Sequence, residues 1–182
     1  AHEISRQIKE EKIDLLFLQS GVGSWAASII NYILKQWDTP PICVGVEPNN
    51  ARCLYESIKA GDRVSFKSKN QTIMAGVDCG TVSTLAWKIL KHSLTGVVTI
   101  SDEVSKLAMR RLAFPLSNDP IIISGESGAS GLGALMSLCE SKKHKNFKEK
   151  INLNKDSTIL LINTEGDTDP YNYKKIVSEI KK

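Results

Sequence analysis

Aromatic side chains make up only 6% of the chain, and three histidines occur among its 182 residues. No apolar stretch approaches the ~18 residues of a membrane-crossing helix. No charged-then-apolar leader pattern is seen either. The four cysteines, Cys43, Cys53, Cys79 and Cys139, show no CxxC spacing, which removes the usual zinc pattern. They are also too few for a disulfide-dense miniprotein, so buried thiols in a reducing, cytoplasmic setting are expected. A Cys53–Cys79 bridge stays open, because both residues fall near loops or helix ends. The formal net charge is only +4, with the signs interspersed. The basic run at 142–145 (KKHK) is short and has no interleaved aromatics. Nucleic-acid and membrane partners are therefore not expected.

The histidines offer little chemistry. His2 sits at the terminus, His144 lies in the charge run, and His92 falls near a helix end whose dipole it suits. Ser20 and Ser24 lack the GxSxG surroundings of a nucleophile elbow.

What remains is an ordinary globular composition, 41% hydrophobic and 24% charged, at the length of a single domain (1–182). Short apolar runs alternate with helical patterns. Residues 13–19 (IDLLFLQ), 42–46 (ICVGV), 96–100 (GVVTI) and 158–162 (TILLI) have strand length. Residues 121–123 read as a further short strand or extended segment. Between the runs, Ala26, Ile29, Ile30, Ile33 and Leu34 line one helix face, and Val82, Leu85, Ala86, Ile89 and Leu90 another. Further helices are expected over 51–59, capped by Asn50, and from Thr81, Ser101 and Ser127 onward. A last one carries Tyr173, Ile176, Val177 and Ile180. Wholly apolar strands separated by amphipathic helices predict an α/β fold: a doubly wound, mostly parallel sheet with helices on both faces. Ligands of such sheets bind beyond the carboxyl ends of the strands.

Three segments could carry chemistry. Ser20, Gly21, Val22, Gly23 and Ser24 join a buried strand to a helix N-terminus, where open N–H groups and the helix dipole favour a phosphate. The loop lacks the Lys of a Walker motif and the third glycine of GxGxxG, and a plain tight turn is the equal alternative. The small residues of 125–135 (GESGASGLGAL) read first as a tightly packed helix, second as a flat ligand wall. The loop 163–170 (NTEGDTDP) is either a capped turn or a polar site without EF-hand spacing. No metal site is expected.

Taken together, QSGVGSWA (19–26), VEPNNARCLYESIKAGD (46–62), QTIMAGVDCG (71–80), SGESGASGLGAL (124–135) and NTEGDTDPYNY (163–173) resemble the second half of fold type II pyridoxal-phosphate enzymes. Within these, the resemblance is to the diaminopropionate ammonia-lyase family. It implies α,β-elimination of ammonia from the small amino acid 2,3-diaminopropionate, yielding pyruvate and a second ammonia. It implies pyridoxal phosphate as electron sink, its phosphate held by Ser20, Gly21, Val22, Gly23 and Ser24 and its ring nitrogen facing Thr164. A homodimer is implied as well. In this family the Schiff-base lysine and the catalytic acids lie in an N-terminal part, which these residues do not match. The first residue is Ala1 rather than Met, and the opening reads as mid-helix. The chain is thus expected to be the C-terminal portion of a longer enzyme, inactive alone. A stand-alone phosphate-ligand or partner-binding module is the alternative, and an ordinary α/β domain with tight glycine turns a third reading.

Overall fold

The computed structural model describes residues 2–8, 11–68 and 70–179. Its centre is a four-stranded, all-parallel sheet in the order β3-β2-β1-β4. The strands are β1 (Leu15–Gln19), β2 (Ile42–Pro48), β3 (Leu94–Ile100) and β4 (Ile159–Leu161). All four expected strands form, at slightly different bounds. Residues 121–123 do not make another: all three isoleucines are solvent-exposed and the segment joins no ladder. An apolar run without a neighbouring strand to pair with has no reason to become one.

Strand alternation sorts the core into two layers. Leu16 and Leu18 point to one face, where α2 (Ser24–Gln36), α3 (Cys53–Ala60) and α4 (Thr84–Ser93) bury Ile30, Leu54 and Leu90. Leu15 and Phe17 point to the other, under α6 (Ser130–Glu140) and α7 (Lys145–Lys150), with Ala134, Leu138 and Ile151. Those four β1 residues have no solvent exposure. A strand buried on both faces cannot show polar alternation, which is why β1 reads as one apolar run. The remaining helices are α1 (His2–Ile8), α5 (Asp102–Ala113) and α8 (Pro170–Ser178). α5, α6 and α8 share a smaller cluster around Met109 and Ile176. Ile180, assigned to the last helix face by periodicity, lies outside the described residues.

Several helix starts differ from expectation. α5 is capped as expected, Ser101 Oγ accepting from the Val104 N–H at 3.4 Å. α3, however, begins at Cys53, and Asn50 does not cap it. Its cap is the side chain of Glu47, from the end of β2: Oε1 accepts from the Leu54 N–H and Oε2 from the Tyr55 N–H, both at 2.8 Å. α4 starts at Thr84 rather than after Thr81, and its buried face runs through Ala86, Trp87 and Leu90, which leaves Leu85 exposed. α6 starts at Ser130, because residues 126–129 form turns in place of its expected first turn. All four cysteines are free thiols, so the Cys53–Cys79 bridge is not made. Among the described residues no helix is long and apolar enough to cross a membrane.

Candidate functional site

The chain moves from β1 to β2 to β3 in one direction across the sheet, then places β4 on the opposite side of β1. The carboxyl ends of β1 and β4 therefore flank the point where the winding reverses, where open parallel sheets leave a crevice. A cavity of about 520 Å³ lies there. Ser20, Gly21, Val22, Gly23 and Ser24 line it, and Thr164 lines it from the β4 side. Every residue singled out from sequence for a phosphate or a ring thus opens on one cavity.

The loop 20–24 is held by its neighbours in a shape that exposes backbone. Gly23 is the residue before α2 and has φ 84°, a left-handed conformation that L side chains rarely adopt. A Cβ there would also sit 2.7 Å from Leu90 Cδ1, so α4 packs directly against the turn. No side chain caps α2. Its first-turn N–H groups have no intrahelical acceptor, and Ser24, Trp25 and Ala26 border the cavity. Ser20 is 1% exposed, yet its hydroxyl oxygen has no hydrogen-bond partner. Buried hydroxyls are normally paired, so an unpaired one beside an uncapped helix N-terminus marks a place for an anion.

Behind the loop lies a buried acid–thiol pair. Glu47 is fully buried, and desolvation lifts its pKa to about 7 against the two backbone N–H groups that favour its charge. Cys53 Sγ lies 3.6 Å from Glu47 Oε1 and 3.8 Å from the Gly21 carbonyl. Burial, then the neighbouring Glu47, pushes this thiol up to about 12, so it stays protonated and donates to either oxygen. Glu47 thus caps α3, and the Cys53 thiol ties that helix to the 20–24 loop.

The β4 side is built from three stretches of sequence. Glu165 Oε2 accepts from the Ser127 N–H at 2.6 Å and the Gly128 N–H at 3.2 Å, and its carbonyl takes the Gly125 N–H at 3.0 Å. Asn163 Oδ1 accepts from Ser124 Oγ at 2.9 Å. Ser127 Oγ in turn accepts from the Gly76 N–H at 3.1 Å. Any Cβ on Gly125 would meet the Glu165 side chain at 2.6 Å, so this junction requires glycine. Of the small residues at the start of 125–135, Ser127 lines the cavity, and its neighbours serve as a packing device. The carboxylate of Glu165 is spent on backbone donors and is not a free base. Glu165→Ala should cost ~1–3 kcal/mol, the usual penalty for orphaned buried donors, and speed amide exchange at Ser127 and Gly128 before β1 and β2 respond. Glu165→Gln, which keeps the single accepting oxygen both bonds use, should lose less. Hydrogen exchange followed residue by residue distinguishes the two.

Sequence reading missed Gln19, Trp25, Ala26, Gly76, Val77 and Cys79 as lining residues, while Ser127 falls in the 125–135 stretch whose second reading was a ligand wall. Only Gln19 carried a signal, a polar residue closing an apolar strand. Burial raises the Cys79 thiol, so it faces the cavity uncharged. Among the described residues no group of three or more His, Cys, Asp or Glu is arranged to hold a metal ion.

Comparison with known proteins agrees with this arrangement. Residues 1–165 match the family described as pyridoxal-phosphate dependent enzyme. The chain is 41% identical over 167 residues to a diaminopropionate ammonia-lyase from Escherichia coli, covering 91% of this chain and 42% of the relative. It is 36% identical over 166 residues to the corresponding protein of Salmonella typhimurium, covering 89% and 41%. The crystal structure of the Escherichia coli diaminopropionate ammonia-lyase in complex with D-serine superposes with a TM-score of 0.87 at 38% identity, over 98% of this chain and 45% of that one. The chain spans less than half the length of these relatives. With an uncapped helix N-terminus at the sheet's reversal point and this match along nearly its whole length, the chain belongs to the family of pyridoxal-phosphate dependent enzymes.

Proposed function

We propose that the protein, at the full length its gene encodes, removes ammonia from 2,3-diaminopropionate by pyridoxal-phosphate-dependent α,β-elimination, giving pyruvate and ammonia. Residues 20–24 and Thr164 are its half of the cofactor site. One observation carries this reading: a single cavity joins an uncapped helix N-terminus and the unpartnered Ser20 hydroxyl to the Thr164 hydroxyl. The residues fit the cofactor. A phosphate satisfies Ser20 and the α2 N–H groups together, and the cavity volume lies within the ~300–1,000 Å³ usual for small-molecule sites.

When bound, pyridoxal phosphate supplies the electron sink for negative charge developing on the substrate α-carbon. The chain's own residues supply placement. Ser20 and the loop N–H groups anchor the phosphate, charge-assisted bonds of the stronger kind. Thr164 meets the ring nitrogen with a neutral hydroxyl, which leaves that nitrogen unprotonated, a setting suited to loss of a group from the β-carbon. Glu165, next to it, is held away by Ser127 and Gly128. Trp25 and Val77 close the cavity wall with apolar surface.

The Schiff-base lysine and the acids that move protons on the substrate belong to sequence outside these 182 residues, which form one α/β domain of a larger, homodimeric enzyme. The free thiols suit the cytoplasm. The test is to supply the full-length protein with cofactor and 2,3-diaminopropionate. Pyruvate should accumulate with two ammonia per pyruvate, one water being consumed, while residues 1–182 alone should release neither. A full-length protein that binds the cofactor yet forms no pyruvate would overturn the assignment.

A further inference from the structure

Gln19 closes β1 with its side chain turned toward the α6 face, and it is 4% exposed. Its Nε2 donates to the Ile162 carbonyl at 2.9 Å and to Thr164 Oγ1 at 2.7 Å. A carbonyl can only accept, so the Ile162 contact fixes which end of the amide faces β4. Both amide protons are then committed, and Thr164 Oγ1 is the acceptor in the second contact. A threonine hydroxyl has one proton to give. With its oxygen already accepting from Gln19, that proton is left for a partner in the cavity. Gln19 Oε1, by contrast, is buried without any partner. A methionine or leucine would fill the same space without the orphaned Oε1, at the loss of the donors to the Ile162 carbonyl and Thr164. What the amide adds over an apolar side chain is its pair of donors.

We propose that Gln19 is a positioning residue that favours Thr164 as a hydrogen-bond donor toward the cavity, so that the Thr164 hydroxyl donates a hydrogen bond to an unprotonated ring nitrogen. This rests on the reading of Thr164 as the ring-nitrogen partner. The direction of the Thr164 bond is thereby set from β1, not by Thr164 itself. A ring nitrogen carrying its own proton would have to use the second lone pair of an oxygen already accepting from Gln19, and the Thr164 proton would be left without its partner in the cavity.

The test is a double-mutant cycle in the full-length protein: wild type, Gln19→Met, Thr164→Val and the pair. The readouts are pyridoxal phosphate affinity, the NMR shift of a nitrogen-labelled cofactor ring, and melting temperature as a folding control. Gln19→Met should weaken binding roughly three- to tenfold, the worth of one neutral hydrogen bond. It should move the ring-nitrogen shift toward that of Thr164→Val, and add nothing once Thr164 is valine. If the methionine variant fails to fold, Gln19→Leu, equally without donors, replaces it and should weaken binding as much. An equal loss from Gln19→Met in both Thr164 and Val backgrounds overturns the proposal, because Gln19 then acts on the fold and not through Thr164. So does no loss at all when Thr164→Val weakens binding. If Thr164→Val changes neither affinity nor ring-nitrogen shift, the Thr164 reading itself fails, and the proposal with it.

Discussion

Gly23→Asp will lose measurable pyridoxal phosphate binding and ~2–5 kcal/mol of stability. The stability loss has two sources. A left-handed φ costs an L residue ~1–2 kcal/mol, and forcing a Cβ to 2.7 Å from Leu90 adds an overpacking penalty of ~1–3 kcal/mol. The binding loss follows from a carboxylate placed where a phosphate should sit, at the N-terminus of α2. Because this variant disturbs both properties, Ser20→Ala is its necessary companion. The Ser20 hydroxyl is buried and unpaired without a ligand, so removing it should leave the free protein as stable or slightly more so. With the cofactor present it removes one charge-assisted hydrogen bond, so affinity should fall ~10- to 100-fold. Thermal melting and cofactor titration of both variants check the pair. A Ser20→Ala protein with unchanged affinity would detach the phosphate from this loop.

The second large effect concerns Glu47. Glu47→Ala strands the Leu54 and Tyr55 N–H groups at the start of α3 and should cost ~2–4 kcal/mol, near neutral pH, at ~1–3 kcal/mol per buried unmade bond less the relief of removing a buried carboxyl. It also leaves the single Cys53 thiol proton wholly to the Gly21 carbonyl, so the loss should fall on α3 rather than on the 20–24 loop. Glu47 gives a pH dependence of known sign. Its folded pKa of about 7 lies above the unfolded value of 4.5, so between those values the folded state holds the extra proton. Stability from this group is complete below the unfolded value and falls as pH rises toward about 7, by on the order of 3 kcal/mol. Glu47→Gln cannot titrate, so that slope should vanish from its stability profile. Denaturant unfolding at several pH values between 4.5 and 7 compares the two proteins. An identical slope in Glu47→Gln would assign the proton uptake to another group.

The fold was legible because its information is local. β1 and β2 are buried on both faces and read as unbroken apolar runs, and α2 shows clean helical periodicity. The strand-to-helix turn singled out residues 20–24 and the resemblance to a known family added Thr164, and the structure brings them to one cavity. What escaped was non-local. Nothing near Asn50 reveals that the α3 cap comes from Glu47 on β2, six residues before the helix. Asp102 reads as a dipole-favouring first-turn acid, but its carboxylate also accepts from Thr72 Oγ1 and the Ile73 N–H, anchoring the 71–80 segment. The exposed side of Leu85 and the unpaired segment 121–123 show the limit from the other direction. Periodicity and apolarity name candidates for burial, and only the neighbours decide.

The most direct measurement is a crystal structure of the full-length protein grown with pyridoxal phosphate. The phosphate should lie within hydrogen-bond distance of Ser20 Oγ and the N–H groups at the start of α2, with the ring nitrogen against Thr164 Oγ1 and the Gln19–Thr164 bond retained. A cofactor bound with its phosphate away from residues 20–24, or with the Ser20 hydroxyl still unpartnered, would contradict that placement.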